Sequence, residues 1–262
     1  MSSSPNCPRQ VAPLAQLNWA VTMLTSVRSK NTQEENRPMS EEPHSREWYA
    51  RLAQQRDGYR HPWQRTMDAP DPELTFDALL MTYLHPDVQV LEAGCGHGPD
   101  AVRFGRDCAR WVAYDFQPLL LSQARQHAPH AEFHLWDGRG DVPPGLRGPF
   151  NLIVSRRGPT SVIRHLPIVA APGATFLYVG PRFEVPQVPE RLHQVGWEIV
   201  SESRVCVQAY TPTWEDWQLR CQFMGEPAER EAWERQVTGR GMPYKEERYI
   251  VIASSPTQTD RM

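Results

Sequence analysis

Residues 88–99 read Val-Gln-Val-Leu-Glu-Ala-Gly-Cys-Gly-His-Gly-Pro, a short apolar run that breaks into glycines at alternate positions. Such a stretch has few structural solutions. The apolar run forms a strand, and the glycines form a loop that exposes backbone N–H groups at a helix start and lets a ligand approach the main chain closely. A dinucleotide-binding loop would carry its third glycine one residue later than here, as G-x-G-x-x-G. In this chain Gly94, Gly96 and Gly98 form G-x-G-x-G, Pro99 occupies that position, and Glu92 precedes the first glycine by two residues. The pattern points to a nucleotide-type pocket and away from NAD.

Two further strands end in acids. Trp111-Val112-Ala113-Tyr114 leads into Asp115, placed about twenty residues after the loop, where a carboxylate accepts the hydroxyls of a ribose. Phe116-Gln117-Pro118 then opens an amphipathic helix through Arg125, with proline in its first turn. The run Glu132-Phe133-His134-Leu135-Trp136 ends at Asp137-Gly138. Either acid alone would be read as a solvated strand end or a helix cap; the ordered set is the signal.

This order of motifs resembles the class I S-adenosylmethionine-dependent methyltransferases, in particular their little-characterised, methyltransferase type 11-like members. Glu92 to Gly98 looks like the first motif, Tyr114-Asp115-Phe116-Gln117-Pro118 like the ribose-binding acid and its turn, and Trp136-Asp137-Gly138 like the adenine-side motif. The likeness continues through Phe150 to Ser155 and through Leu166 to Val179, where Ala171-Pro172-Gly173-Ala174 precedes an apolar strand. It implies an α/β fold, a doubly wound Rossmann-like and mostly parallel sheet, with S-adenosyl-L-methionine as cofactor. The cofactor-binding residues it implies are Glu92, Gly94, Cys95, Gly96, His97, Gly98, Asp115, Phe116, Trp136, Asp137, Gly138 and Ser155. The implied chemistry is an in-line displacement at an already activated sulfonium methyl, in which the protein aligns the partners and handles a proton. Neither a metal nor a covalent intermediate is required.

The acceptor side is less legible. In this fold the segment after the fourth strand faces the methyl group, and here it is Ser155-Arg156-Arg157-Gly158-Pro159-Thr160. There is no Asn-Pro-Pro-Tyr sequence, as for transfer to an exocyclic base amine, and no Pro-Cys, as for attack on a pyrimidine ring. Arg156, Arg157 and, one helix on, His165 are the candidates for holding an anionic acceptor or taking its proton. The competing expectation is that one arginine pairs with an acid of the N-terminal helices. Tyr59 and Trp63, in an aromatic and basic loop, are candidate lid residues over the acceptor, or else cover the core.

Composition bounds the rest. With 262 residues, 40% hydrophobic and 23% charged, the chain can bury a sizeable core. A formal net charge of −3 gives no global attraction to nucleic acid or anionic membrane, so a small-molecule acceptor is expected first. RNA or protein acceptors, and a non-catalytic cofactor-binding protein, are the alternatives. Only Lys30 and Lys245 are lysines. Five cysteines without C-x-x-C spacing indicate neither a disulfide framework nor a zinc site, and a reducing cytoplasm is expected. No apolar run approaches the twenty residues of a membrane span.

The expected organisation is an N-terminal extension over 1–44 and one methyltransferase domain over 45–256. The first 38 residues read as a disordered extension or as the product of an upstream start codon, with Met39 at the change. Within the domain, residues 45–84 form N-terminal helices, the first capped by Ser45. Residues 85–210 form the cofactor-binding core, 211–243 a helical insertion begun by Thr213-Trp214-Glu215-Asp216, and 244–254 the last strand.

Overall fold

A computed structural model of the chain describes residues 45–54, 61–181 and 187–256. The expected N-terminal extension and Tyr59 lie outside them. Helix α1 (Arg46–Gln54) starts where Ser45 Oγ accepts the Trp48 N–H at 3.1 Å. A two-residue strand β1 (Thr66–Met67) follows, and then α2 (Glu73–Tyr83), where Asp71 accepts the Glu73 N–H at 3.0 Å. In α2, Phe76 and Leu80 are one turn apart and both fully buried, which presses one stripe of the helix onto the sheet.

The core alternates as expected: β2 (Gln89–Ala93), α3 (Pro99–Phe104), β3 (Arg110–Asp115), α4 (Pro118–His127), β4 (Glu132–Leu135) and β5 (Phe150–Arg156). A 3-10 turn, Thr160–His165, then leads into α5 (Leu166–Val169), β6 (Ala170–Gly180), α6 (Gln187–Gln194) and β7 (Glu198–Thr211). The insertion α7 (Trp214–Met224) and α8 (Arg230–Gln236) precedes β8 (Met242–Ser254). Thr213 caps α7 by accepting the Asp216 N–H at 3.1 Å.

One sheet runs in the order β1-β7-β8-β6-β5-β2-β3-β4. The pairs β2/β3, β3/β4, β2/β5 and β5/β6 are parallel, whereas β8 is antiparallel to both β6 and β7. Period-two alternation sorts the apolar side chains onto two faces. Leu91, Ala93, Val112 and Tyr114 pack with Val162, Leu166, Val188 and Leu192 on one face. Val90, Trp111, Ala113 and Val154 pack with Phe76, Leu80, Ala101 and Leu121 on the other. Helices therefore cover both faces. From β2 the chain proceeds to β3 and β4 on one side, with β5 and β6 on the other, so a crevice opens at the carboxyl ends of β2 and β5.

Several boundaries differ from the sequence reading, each for a local reason. Trp136 lies beyond β4, because its side chain turns into the core beside Tyr114. Residues Leu166–Val169 are helical, and β6 already begins at Ala170, taking in the Ala171-Pro172-Gly173-Ala174 segment expected to precede it, with a register shift around Gly173 at φ +73°. The last strand starts at Met242 and sits inside the sheet, paired with β7 over its length. Strand β1 was not anticipated; two residues against Ala209 and Tyr210 carry no periodic signal.

Candidate cofactor and acceptor site

The glycine loop is folded back on its neighbours. Gly94 and Cys95 both donate their N–H to the Tyr114 carbonyl, at 2.9 and 3.1 Å, which draws the loop over the end of β3. At Gly94 (φ +74°) a Cβ would stand 2.5 Å from Pro159 Cδ, so the loop abuts the turn after β5 and only glycine fits. At Gly96 (φ +55°) a Cβ would meet nothing within 4 Å; the bare backbone there borders open space. Gly98 packs on Ala124 of α4. Cys95 is buried, and burial pushes its thiol well up, so it serves as packing and not as a nucleophile. The His97 carbonyl lies 3.4 Å from His127 Nδ1.

Asp115 joins this loop to the next turn. Its Oδ2 accepts the Gly96 N–H at 2.9 Å and its Oδ1 accepts the Gln117 N–H at 2.8 Å. Burial raises its pKa against those hydrogen bonds. A carboxylate has about four acceptor positions, so both oxygens keep capacity for a ligand. Beside it, Phe116 takes the edge of Tyr49, with ring centres 5.4 Å apart, and the Arg46 guanidinium lies 5.6 Å over its ring. Arg46 also donates to Asp137 at 2.8 Å, and Asp137 accepts the Arg139 N–H at 3.0 Å. Helix α1 thus spans the carboxyl ends of β3 and β4. Its Trp48 meets Phe223 of α7 at 4.8 Å between rings, tying the cofactor rim to the insertion.

Beneath that rim, Trp136 donates Nε1–H to the Arg139 carbonyl at 2.8 Å and packs between Tyr114 and His165. Arg164 Nε donates to His165 Nε2 at 2.9 Å and Arg164 Nη2 to the Gly138 carbonyl at 2.6 Å. The same Nε2 lies 3.1 Å from the Gly138 carbonyl, so it faces a donor and an acceptor at once. Burial lowers the His165 pKa, against the hydrogen bond to Gly138. The structure sets His165 beside the Gly138 turn, with neighbours different from those of Arg156 and Arg157.

At the end of β5 the arginines meet acids. Arg156 Nε donates to Asp100 Oδ2 at 2.7 Å, its Nη2 is paired with Asp77, and its Nη1 is 3.5 Å from Glu73. Glu73 and Asp77 are i and i+4 on α2, and the Phe76 ring between them lies 4.6 Å under the guanidinium. Arg157, at φ +49°, places Nε 3.2 Å from Glu73 and Nη1 3.5 Å from His61 Nε2. Arg248 of β8 donates to the same Glu73 at 3.0 Å. Burial raises the Glu73 pKa, but Arg157, Arg248 and Arg156 outweigh it and bring it to about 2. Deeper, Glu92 accepts Trp111 Nε1–H at 2.9 Å, and burial, with Asp100 nearby, lifts it to about 8. Ser155 Oγ is buried with no hydrogen-bond partner among the described residues.

Sequence reasoning singled out Gly94, Gly96, Asp115 and the Arg157 turn, which the structure brings next to one another, but assigned no role to Arg46, Glu73, Asp77, Asp100 or His61. Those residues come from α1, α2, α3 and the loop before β1. The i, i+4 pair Glu73 and Asp77 was the one local signal available.

The fold is similar to that of several solved structures, among them an N-methyltransferase. The N-methyltransferase NodS of Bradyrhizobium japonicum WM9, in complex with S-adenosyl-L-homocysteine, is 17% identical, with 79% of this chain and 95% of that chain covered and a TM-score of 0.52. The YcgJ protein of Bacillus subtilis is 12% identical, with 70% and 99% covered and a TM-score of 0.51. The fold is that of the class I methyltransferases. A functionally unknown protein from Deinococcus radiodurans R1 is 62% identical over 79% of this chain and 99% of that chain, with a TM-score of 0.74. The chain belongs to the family of that Deinococcus protein. No family model and no curated protein matches it.

Proposed function

We propose that this protein is an S-adenosyl-L-methionine-dependent methyltransferase, type 11-like in its motifs, that acts on a small molecule in a reducing cytoplasm. The observation that carries this reading is the coupling of Asp115 to Gly96, at 2.9 Å, beside a backbone face that borders open space. That arrangement fits a nucleoside: main chain free for close approach, and a carboxylate with acceptor capacity for ribose hydroxyls. Bound there, the cofactor supplies an electrophilic methyl group that needs no further activation.

The chain's own residues do the rest. Gly94, Gly96 and Gly98 shape the loop, Asp115 binds the ribose, and Asp137 with Phe116 borders the adenine. Ser155, Arg157 and the capping aromatics Trp48, Trp63 and Phe223 flank the acceptor. Arg156, engaged by Asp77 and Asp100, positions α2 against the end of β5. The cap of α1 and α7 over the rim supports a small acceptor, since an extended polymer needs an open groove. Free thiols at Cys95, Cys108, Cys206 and Cys221 support a reducing compartment. Among the described residues no helix is long and apolar enough to cross a membrane.

The test is binding followed by transfer. S-adenosyl-L-homocysteine should raise the melting temperature while NAD does not. Label from methyl-labelled S-adenosyl-L-methionine should then enter the small-molecule fraction of a cell extract. Label in RNA or protein would reassign the acceptor, and binding without any transfer would make the protein a non-catalytic cofactor binder.

A further inference from the structure

His61 stands where the acceptor side of the site is built, yet no part of the functional reading uses it. Its ring packs against Trp63, with centres 4.5 Å apart, and against Phe223 at 5.6 Å. Its Nε2 lies 3.5 Å from Arg157 Nη1. Arg157 is followed by Gly158, whose Cα lies 3.0 Å from where a Cβ on Gly94 would stand, so the histidine is joined to the glycine loop through one short turn.

The protonation state follows from the neighbours. A guanidinium carries only donors, so Nε2 presents its lone pair to Arg157 and the ring hydrogen resides on Nδ1. The charged groups facing the ring are Arg157, Arg65 and Arg248, opposed by Glu73. Burial first, and those guanidiniums next, lower the ring's pKa to about 3, so it stays neutral through the physiological range. Nδ1 is buried and has no hydrogen-bond partner among the described residues. An unpaired buried N–H is costly, and in a binding site it marks where a ligand acceptor belongs.

We propose that His61 is a binding residue for the methyl acceptor, donating Nδ1–H to an oxygen of a small, flat molecule of the aromatic carboxylate or phenolate class. Trp63 and Phe223 contact the ring of that molecule, and the guanidiniums around His61 favour its negative charge. The substrate class rests on the methyltransferase reading; the tautomer and the oxygen subsite do not.

The experiment uses the full chain with 15N-labelled histidine, saturated with S-adenosyl-L-homocysteine, and benzoate as the probe. The His61 ring should show the neutral Nδ1–H form from about pH 8 to about pH 5. Benzoate should shift the Nδ1 resonance saturably. His61→Phe should weaken benzoate about tenfold or more while leaving the thermal shift from S-adenosyl-L-homocysteine unchanged, and His61→Gln, which keeps a donor, should restore part of it. A ring that titrates near about 6.5, a hydrogen on Nε2, or benzoate that leaves His61 unmoved would overturn the proposal. If benzoate binds His61 but S-adenosyl-L-homocysteine gives no shift, the methyltransferase reading fails and the oxygen subsite stands.

Discussion

The Gly96 N–H donates to Asp115 Oδ2 at 2.9 Å, so the glycine loop after β2 and the acid at the end of β3 form one unit. Moving either residue moves the other, and the ribose end of the site inherits its geometry from that bond.

Asp115→Ala should therefore act twice. It removes the ligand's acceptor, a loss of about 1.5–3 kcal/mol for each charge-assisted hydrogen bond, and it leaves the Gly96 and Gln117 N–H groups without their acceptor. Calorimetric titration with S-adenosyl-L-homocysteine should show affinity reduced by at least about tenfold, with a lower melting temperature for the free protein. An unchanged affinity would remove Asp115 from the ribose role.

The adenine side gives a weaker and opposite pair of effects. Arg46 is 61% exposed in its side chain, and such ion pairs contribute about 0–1 kcal/mol. Its guanidinium occupies Asp137, the carboxylate proposed for the exocyclic amine, so Arg46→Ala should leave the free protein's stability nearly unchanged. The same change should tighten S-adenosyl-L-homocysteine about twofold. Asp137→Ala should weaken it, by less than Asp115→Ala does. Equal losses in both Arg46 and Asp137 variants would show that the ion pair itself builds the site.

The succession of core strands and helices along the chain, the glycine loop and the acids near strand ends were legible because period-two runs and short turn motifs are local signals. What assembles around Glu73 was not. Its partners Arg156, Arg157 and Arg248 come from β5, the turn after it and β8, and no spacing rule links Glu73 to residues so distant along the chain. The expectation that one of the tandem arginines pairs with an acid of the N-terminal helices describes Arg156, and the geometry extends it to Arg157. The roles of Arg46 and His61 were not legible for the same reason: each acquires its partner only when α1 and the loop before β1 pack over the strand ends.

Glu92 should make stability fall as pH rises. Its folded pKa is lifted to about 8, mainly by burial, against about 4.3 in the unfolded chain. Between those values the folded state holds a proton that the unfolded state releases, so the buried carboxyl costs progressively more stability up to about pH 8 and a constant amount above it. Glu92→Gln keeps an oxygen for Trp111 Nε1–H and cannot ionise. Denaturant melts at several pH values should show the variant gaining on the parent protein through this window, by a few kcal/mol at its upper end. Parallel pH profiles would show that Glu92 is ionised in the fold.

Glu73 should behave in the reverse sense. Burial opposes its ionisation, but Arg157, Arg248 and Arg156 bring its folded pKa to about 2, below the unfolded value of about 4.3. Its contribution is therefore fully present above about pH 4.3 and is lost as pH falls through about 2, on the order of 3 kcal/mol in all. Glu73→Gln should destabilise the protein at neutral pH by a comparable amount, because three guanidiniums lose their shared counter-charge while remaining buried. The deficit should shrink as the medium is acidified below about pH 4. If chemical denaturation gives the same deficit at pH 7 and near pH 3, Glu73 acts through packing and the charge cluster does not hold α2 to the end of β5.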